Sequence, residues 1–236
     1  MKNRKTIINI IIEGILLVII ALLVVNNHNR IIYKDKIIYK DRKQKSVEDI
    51  KKYENIVFLG DSITEFYPVD DIYADLPIVR NGVGGYTTNN ILEKMDSMVY
   101  QYNPTSVFLL IGTNDIAYSE NKEEKEQIVE NIKKIITSIK EHRKKAKIYL
   151  ESIYPVNSLI DSKTVLNRDN QTIQEINEKL KAYCNDNDVI YIDIYKELID
   201  EEGNFNKLYT TDGLHPNTLG YAKISRVRLT YIYGME

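Results

Sequence analysis

The chain has 236 residues, 43% of them apolar and 28% charged, with ten glycines and five prolines. That profile excludes a collagen-like, low-complexity or wholly disordered chain, and a single cysteine excludes an intrachain disulfide framework or a thiolate cluster for zinc or iron–sulfur. Charge is uneven: residues 1–45 carry ten Lys/Arg against three acids, net +7, whereas residues 46–236 carry 22 against 31, net −9. The second part is an acidic domain of about 190 residues, large enough for one core. Its charge argues against a nucleic-acid partner. There is no Trp, and the 18 Tyr suggest no shared role.

Residues 1–6 form a short basic head. Residues 7–25 read IINIIIEGILLVIIALLVV, interrupted only by Asn9, Glu13 and Gly14. As a helix this run covers roughly 29 Å, about one hydrocarbon core. No small-x-small cleavage site follows, so an uncleaved anchor is favoured over a signal peptide. Glu13 would cost on the order of 2–3 kcal/mol if deeply placed. Two orientation cues oppose each other. Lys2, Arg4 and Lys5 make a head held in the cytoplasm, whereas the seven Lys/Arg between Arg30 and Lys45 favour the reverse by the positive-inside count. A basic head followed at once by an apolar run reads as a signal-anchor, which places the remainder outside the cytoplasm at the cell membrane. Residues 26–45 make a basic stalk with a tandem IIYKDK/IIYKDR repeat, too short for a solenoid. From Ser46 a helix leads into the domain, 46–236.

Within the domain, short β-branched apolar runs at 56–59, 78–79, 107–111, 148–153 and 189–194 predict strands. Helical patterns at 88–100, 121–143, 170–185 and 218–231 fall between or after them. Near-continuous apolar strands separated by amphipathic helices predict an α/β fold, a three-layer α/β/α sandwich with a five-stranded parallel sheet. Chemistry in such sheets sits at the C-terminal ends of the strands.

The first three of those ends, and a segment near the C-terminus, are distinctive. After the first comes Gly60-Asp61-Ser62-Ile63-Thr64. Its serine could be a nucleophile presented at a strand-to-helix turn, or an ordinary N-cap. Thr64 stands where the α/β-hydrolase elbow has its second glycine, so that family is not supported. After the second comes Asn81-Gly82-Val83-Gly84-Gly85-Tyr86-Thr87. Its glycines allow close backbone approach to a ligand. A dinucleotide fingerprint is disfavoured, because Thr87 replaces the third glycine and the first βα turn holds GDSIT. After the third comes Gly112-Thr113-Asn114-Asp115. Asn114 could aim its amide at an oxyanion beside backbone donors, or simply form a turn. Near the end comes Asp212-Gly213-Leu214-His215-Pro216-Asn217, where a carboxylate three residues before an imidazole can fix its tautomer. The other histidines, His28 beside the apolar run and His142 at the end of a charged helix, read as bystanders.

Taken in order, GDSIT, NGVGG, GTND and DGLHP resemble the four blocks of the GDSL-type (SGNH) hydrolases over roughly residues 54–232. The resemblance implies a flavodoxin-like sandwich without metal or organic cofactor. It places the nucleophile on Ser62, the oxyanion hole on Ser62, Gly85 and Asn114, and the remaining catalytic pair on Asp212 and His215. Tyr86 departs from the family, many of whose members have Asp there. Ser152-Ile153-Tyr154-Pro155 looks like the strand-end segment that commonly lines the family's site.

The expectation is therefore a serine ester hydrolase working through an acyl-enzyme. With a domain tethered outside the membrane, the expected substrates are O-acyl or O-acetyl groups on cell-surface glycans, or related small esters. A lysophospholipase or thioesterase is the alternative within the class. A catalytically idle carbohydrate- or lipid-binding domain is the alternative outside it. Loops 65–76 and 154–168, expected to shape the pocket, carry no readable code.

Overall fold

The computed structural model describes residues 55–73 and 76–234, all within the compact unit Tyr53–Glu236. The expected anchor at 7–25, the stalk repeat, His28 and the helix from Ser46 lie outside the described residues. Among the described residues, no helix is long and apolar enough to cross a membrane.

In chain order the elements are β1 (Ile56–Gly60), α1 (Ser62–Glu65), α2 (Val69–Ile72), β2 (Ile78–Gly82), α3 (Thr88–Glu93), α4 (Met95–Met98) and a 3₁₀ turn (Tyr100–Tyr102). Then follow β3 (Ser106–Leu110), α5 (Thr113–Tyr118), α6 (Lys122–His142), β4 (Lys147–Glu151), α7 (Ser162–Val165) and α8 (Asn170–Asp186). The chain closes with β5 (Ile190–Ile192), α9 (Tyr195–Leu198) and α10 (Thr218–Ile232). The five strands pair in parallel in the order β2-β1-β3-β4-β5, the doubly wound order of flavodoxin-like sheets.

Both faces of the sheet are covered because alternate residues of each strand are apolar on opposite sides. Val57, Leu59, Val107, Leu109, Ile148 and Leu150 enter one core cluster with Ile91, Ile132, Ile136, Ile139, Ile176 and Leu180 from the helices. Ile56, Phe58, Phe108, Leu110, Tyr149 and Ile192 enter the other, with Ile63, Tyr67, Leu198, Tyr221 and Ile224. Each long helix starts at a capping side chain: Asn121 accepts from Glu124 N–H, Asp169 from Thr172 N–H and Asn217 from Gly220 N–H. Cys184 packs in the first core, where burial pushes its thiol up to about 12. His142 stacks on Tyr100 with ring centroids 3.8 Å apart, so it serves packing.

The second core is where many tyrosines go, a role composition could not reveal. Arg228 forks onto Glu151 (Nε to Oε1 2.5 Å, Nη2 to Oε2 2.8 Å), and Tyr154 donates to Glu151 Oε2 at 2.7 Å. The guanidinium lies over the rings of Phe58 (4.7 Å) and Tyr67 (4.4 Å). The Tyr67 hydroxyl pairs with Tyr73 (2.8 Å) and Ser225 (2.5 Å).

Two expected elements differ from the fold. The helix expected over 88–100 is broken at Lys94, whose φ and ψ are −122° and 21°. Beyond the break, Asn81 Nδ2 donates to Met98 O and Asn55 Nδ2 to Tyr102 O, each at 2.6 Å, which ties the short turns that follow to the strand side. The strand expected to reach residue 153 ends at Glu151. There the Asn177 side chain captures both polar groups of Ile153, accepting from its N–H at 2.8 Å and donating to its C=O at 2.9 Å.

Candidate active site

The four segments singled out in the sequence meet at the C-terminal edge of β1, β2 and β3. Gly60 ends β1 against β3; a Cβ there would lie 2.3 Å from Leu110 O, so no larger residue fits. The chain then turns into α1, and the residue that caps this helix is Asp61, whose Oδ1 accepts from Ile63 N–H at 2.9 Å. Ser62 is thereby released from capping. Its Oγ lies 2.9 Å from His215 Nε2 instead.

His215 is held from behind. Its Nδ1 is 2.7 Å from Asp212 Oδ2, while Asp212 Oδ1 accepts from the N–H groups of Leu214 (2.9 Å) and His215 (2.8 Å). The Thr210–Pro216 bridge closes this loop, and the Phe66 ring stands edge-on to the imidazole at 5.5 Å. An Nδ1–H donated to Asp212 leaves Nε2 as an acceptor for the Ser62 hydroxyl proton. Burial pushes the Asp212 carboxyl up, but hydrogen bonds from the His215 ring and from both N–H groups outweigh it and hold the carboxyl below its usual value.

The glycine turn after β2 is fixed from two sides. Glu65 Oε2 accepts from Gly84 N–H at 2.8 Å, and Val83 O accepts from Tyr86 N–H at 3.2 Å. Between them Gly85 adopts φ +77°, a conformation favouring glycine. Among the described residues the N–H groups of Ser62 and Gly85 have no hydrogen-bond partner, although those of Ile63, Gly84 and Tyr86 do. Asp115, in the first turn of α5, ties this turn to its neighbour by accepting from Thr88 Oγ1 (2.5 Å) and Thr88 N–H (3.0 Å). Burial raises the Asp115 carboxyl above its usual value, with those bonds from Thr88 pulling the other way.

Asn114 completes the group. Its Oδ1 accepts from Arg168 Nη2 at 2.9 Å and its Nδ2 donates to Tyr86 O at 3.0 Å. Arginine only donates and a carbonyl only accepts, so the two amide ends are distinguished. One N–H of Nδ2 is left for a ligand.

All five expected residues, Ser62, Gly85, Asn114, Asp212 and His215, therefore sit in connected segments. Ser152, Ile153 and Tyr154 do not line the site. They are buried, with Ser152 Oγ accepting from Tyr195 N–H at 2.7 Å and Tyr154 turned to Glu151. Sequence reasoning missed Arg168, Phe66 and the exceptional position of Asp61. Asp61 is fully buried, its Oδ2 makes no hydrogen bond, and desolvation raises its carboxyl to about 7. Among the described residues no group of three or more His, Cys, Asp or Glu is placed to hold a metal ion.

The chain is similar to known proteins over most of the described domain. The GDSL-like Lipase/Acylhydrolase family matches residues 58–223. The chain is 34% identical over 171 residues to an N-acylneuraminate cytidylyltransferase of Escherichia coli, covering 71% of this chain but 38% of that protein. It is 30% identical over 166 residues to a multidomain esterase of Ruminococcus flavefaciens, covering 66% of this chain and 20% of that one. The chain thus spans less than half the length of either relative. Among solved structures, a Streptococcus pneumonia protein provisionally designated a platelet activating factor aligns with TM-score 0.71 and 31% identity, over 85% of this chain and 99% of that one. An acetylxylan esterase from Geobacillus stearothermophilus shares the fold at TM-score 0.59 and 18% identity, over 76% and 94% of the two chains. With the family match extending from β1 into α10 and spanning all four loop segments, the chain belongs to the GDSL-like lipase/acylhydrolase family.

Proposed function

We propose that this chain hydrolyses esters through an acyl-enzyme on Ser62, and that its substrates are O-acyl or O-acetyl groups on cell-surface glycans or related small esters. The observation that carries the reading is the chain of short contacts from Ser62 Oγ through His215 to Asp212, at 2.9 and 2.7 Å. Ser62 Oγ attacks the ester carbonyl carbon as His215 Nε2 takes its proton. The carbonyl oxygen gains the negative charge and is met by the unpartnered N–H groups of Ser62 and Gly85 and the remaining N–H of Asn114. Collapse breaks the carbon–oxygen bond to the alcohol, which leaves with the proton from His215. Water, deprotonated by the same nitrogen, then attacks the acyl group, and Ser62 recovers its proton.

The glycan preference draws on the acetylxylan substrate in the name of the Geobacillus protein and on the expected anchor at 7–25. A lipid-like alternative, the lysophospholipase, is favoured by a different observation. Exposed large apolar side chains include Phe66, edge-on to the His215 ring, and Tyr118, Leu159 and Leu166 in the segments that follow β3 and β4. A panel of p-nitrophenyl esters, acetylated sugars and lysolipids separates these readings. Acetate released from sugars supports the first and long acids from lysolipids the second, while no turnover leaves only a binding domain. Location is tested by adding protease to intact cells. An extracytoplasmic domain is removed while a cytoplasmic marker survives; protection until lysis would shift the substrate to cytoplasmic thioesters or lipids.

A further inference from the structure

We infer that Arg168 is a positioning residue for the oxyanion hole: its guanidinium orients and polarises the Asn114 amide. The inference rests on the ester-hydrolase reading of Ser62 and extends it to a residue outside the four sequence blocks. Arg168 is only 6% exposed. Its Nε donates to Thr113 O (2.9 Å) and Thr113 Oγ1 (3.0 Å), and its Nη1 to Thr164 O (3.3 Å) and Val165 O (2.9 Å). Its Nη2 donates to Asn114 Oδ1 at 2.9 Å.

Every one of these hydrogen-bond acceptors is neutral, and the buried Asp61 carboxyl acts on the guanidinium only through space. A buried cation without a hydrogen-bonded carboxylate is costly, and tying two loops together would need only a neutral donor. What the cation adds is direction and field. A donor-only group on Oδ1 excludes the flipped amide, which would turn an oxygen lone pair toward the developing oxyanion. Drawing electron density to Oδ1 also makes the opposite N–H a stronger donor. Leu166, two residues before Arg168, is held at φ +56°, a conformation unfavourable for a non-glycine residue. The backbone leading to Arg168 is thus strained just where this arm reaches back to Thr113 and Asn114.

The test is a double-mutant cycle on a p-nitrophenyl ester, combining Arg168→Gln with Asn114→Ala. Alone, Arg168→Gln should lower kcat about 10- to 100-fold, less than loss of the donor itself, with KM within about twofold. In the Asn114→Ala background the same change should alter kcat by less than about twofold, since the amide it acts on is gone. Equal losses in both backgrounds would overturn the inference, as would unchanged kcat in a folded Arg168→Gln protein. If Arg168→Gln unfolds, the cycle is run with Arg168→Lys, which keeps the charge but loses the fork, and the same coupling decides. Failure of the underlying reading looks different: Asn114→Ala alone would then leave kcat intact.

Discussion

Replacing Asp212 by asparagine separates the geometry of the candidate triad from its proton chemistry. The carboxylate does two things with two oxygens. Oδ1 accepts from Leu214 and His215 N–H, at 2.9 and 2.8 Å, and Oδ2 faces His215 Nδ1 at 2.7 Å. An amide keeps the first function through its own oxygen, so the loop and imidazole stay in place. It reverses the second, because an NH₂ group opposite Nδ1 requires that nitrogen to accept. The ring proton then moves to Nε2, which must donate to Ser62 Oγ and can no longer take its proton. The expected loss is about 10⁴-fold in kcat, or roughly 5.5 kcal/mol of transition-state stabilisation. The Asp212 side chain is 34% exposed, so the melting temperature should move little. The assay is steady-state hydrolysis of p-nitrophenyl acetate, with a thermal melt of the same preparation. A folded Asp212→Asn protein within tenfold of the parent's kcat would refute the role given to Asp212.

Asn114→Ala should lower kcat about 10²–10³-fold with little change in KM, measured on the same ester; an effect confined to KM would make Asn114 a substrate-binding residue. Arg228→Met should destabilise the domain by about 3–5 kcal/mol in urea unfolding, because Glu151 is left charged in the core, and adding Glu151→Gln should restore part of the loss. A single-variant loss below about 1 kcal/mol would contradict this. Asp61 gives a pH signature: its carboxyl titrates at about 7 in the folded protein and near 3.9 when unfolded. The folded state therefore holds a proton that the unfolded state gives up, so this group's contribution is full below pH 4, falls as pH rises and is lost above about 7. The span is on the order of 4 kcal/mol. Asp61→Asn, which keeps the cap to Ile63, should flatten that slope in unfolding curves taken from pH 5 to 8, and an unchanged slope would disprove the assignment.

The parallel sheet was legible because each strand is short and apolar, and the first three are followed by chemically distinctive turns. The site was legible for the same reason, since Ser62, Gly85, Asn114, Asp212 and His215 stand in segments whose composition announces them. What was not legible depends on contacts between distant positions. Arg168 reaches Asn114 across 54 residues, from a polar stretch that reads as ordinary loop. The turns beyond the break at Lys94 are tied down by Asn81 and Asn55, whose donors reach across from the strand side. Glu151 and Arg228 are 77 residues apart, and neither their pairing nor the tyrosines around them leaves a periodic trace. Ser152, Ile153 and Tyr154 were misjudged because their placement at a strand end does not say which way each side chain turns.

The central claim is that Ser62 carries the acyl group. Intact-protein mass spectrometry after treatment with a fluorophosphonate, followed by peptide mapping, tests it most directly. One adduct per chain on Ser62, formed in step with loss of esterase activity and abolished in both Ser62→Ala and His215→Ala, is the expected result. Activity lost through an adduct elsewhere, or retained in a folded Ser62→Ala protein, would contradict the account.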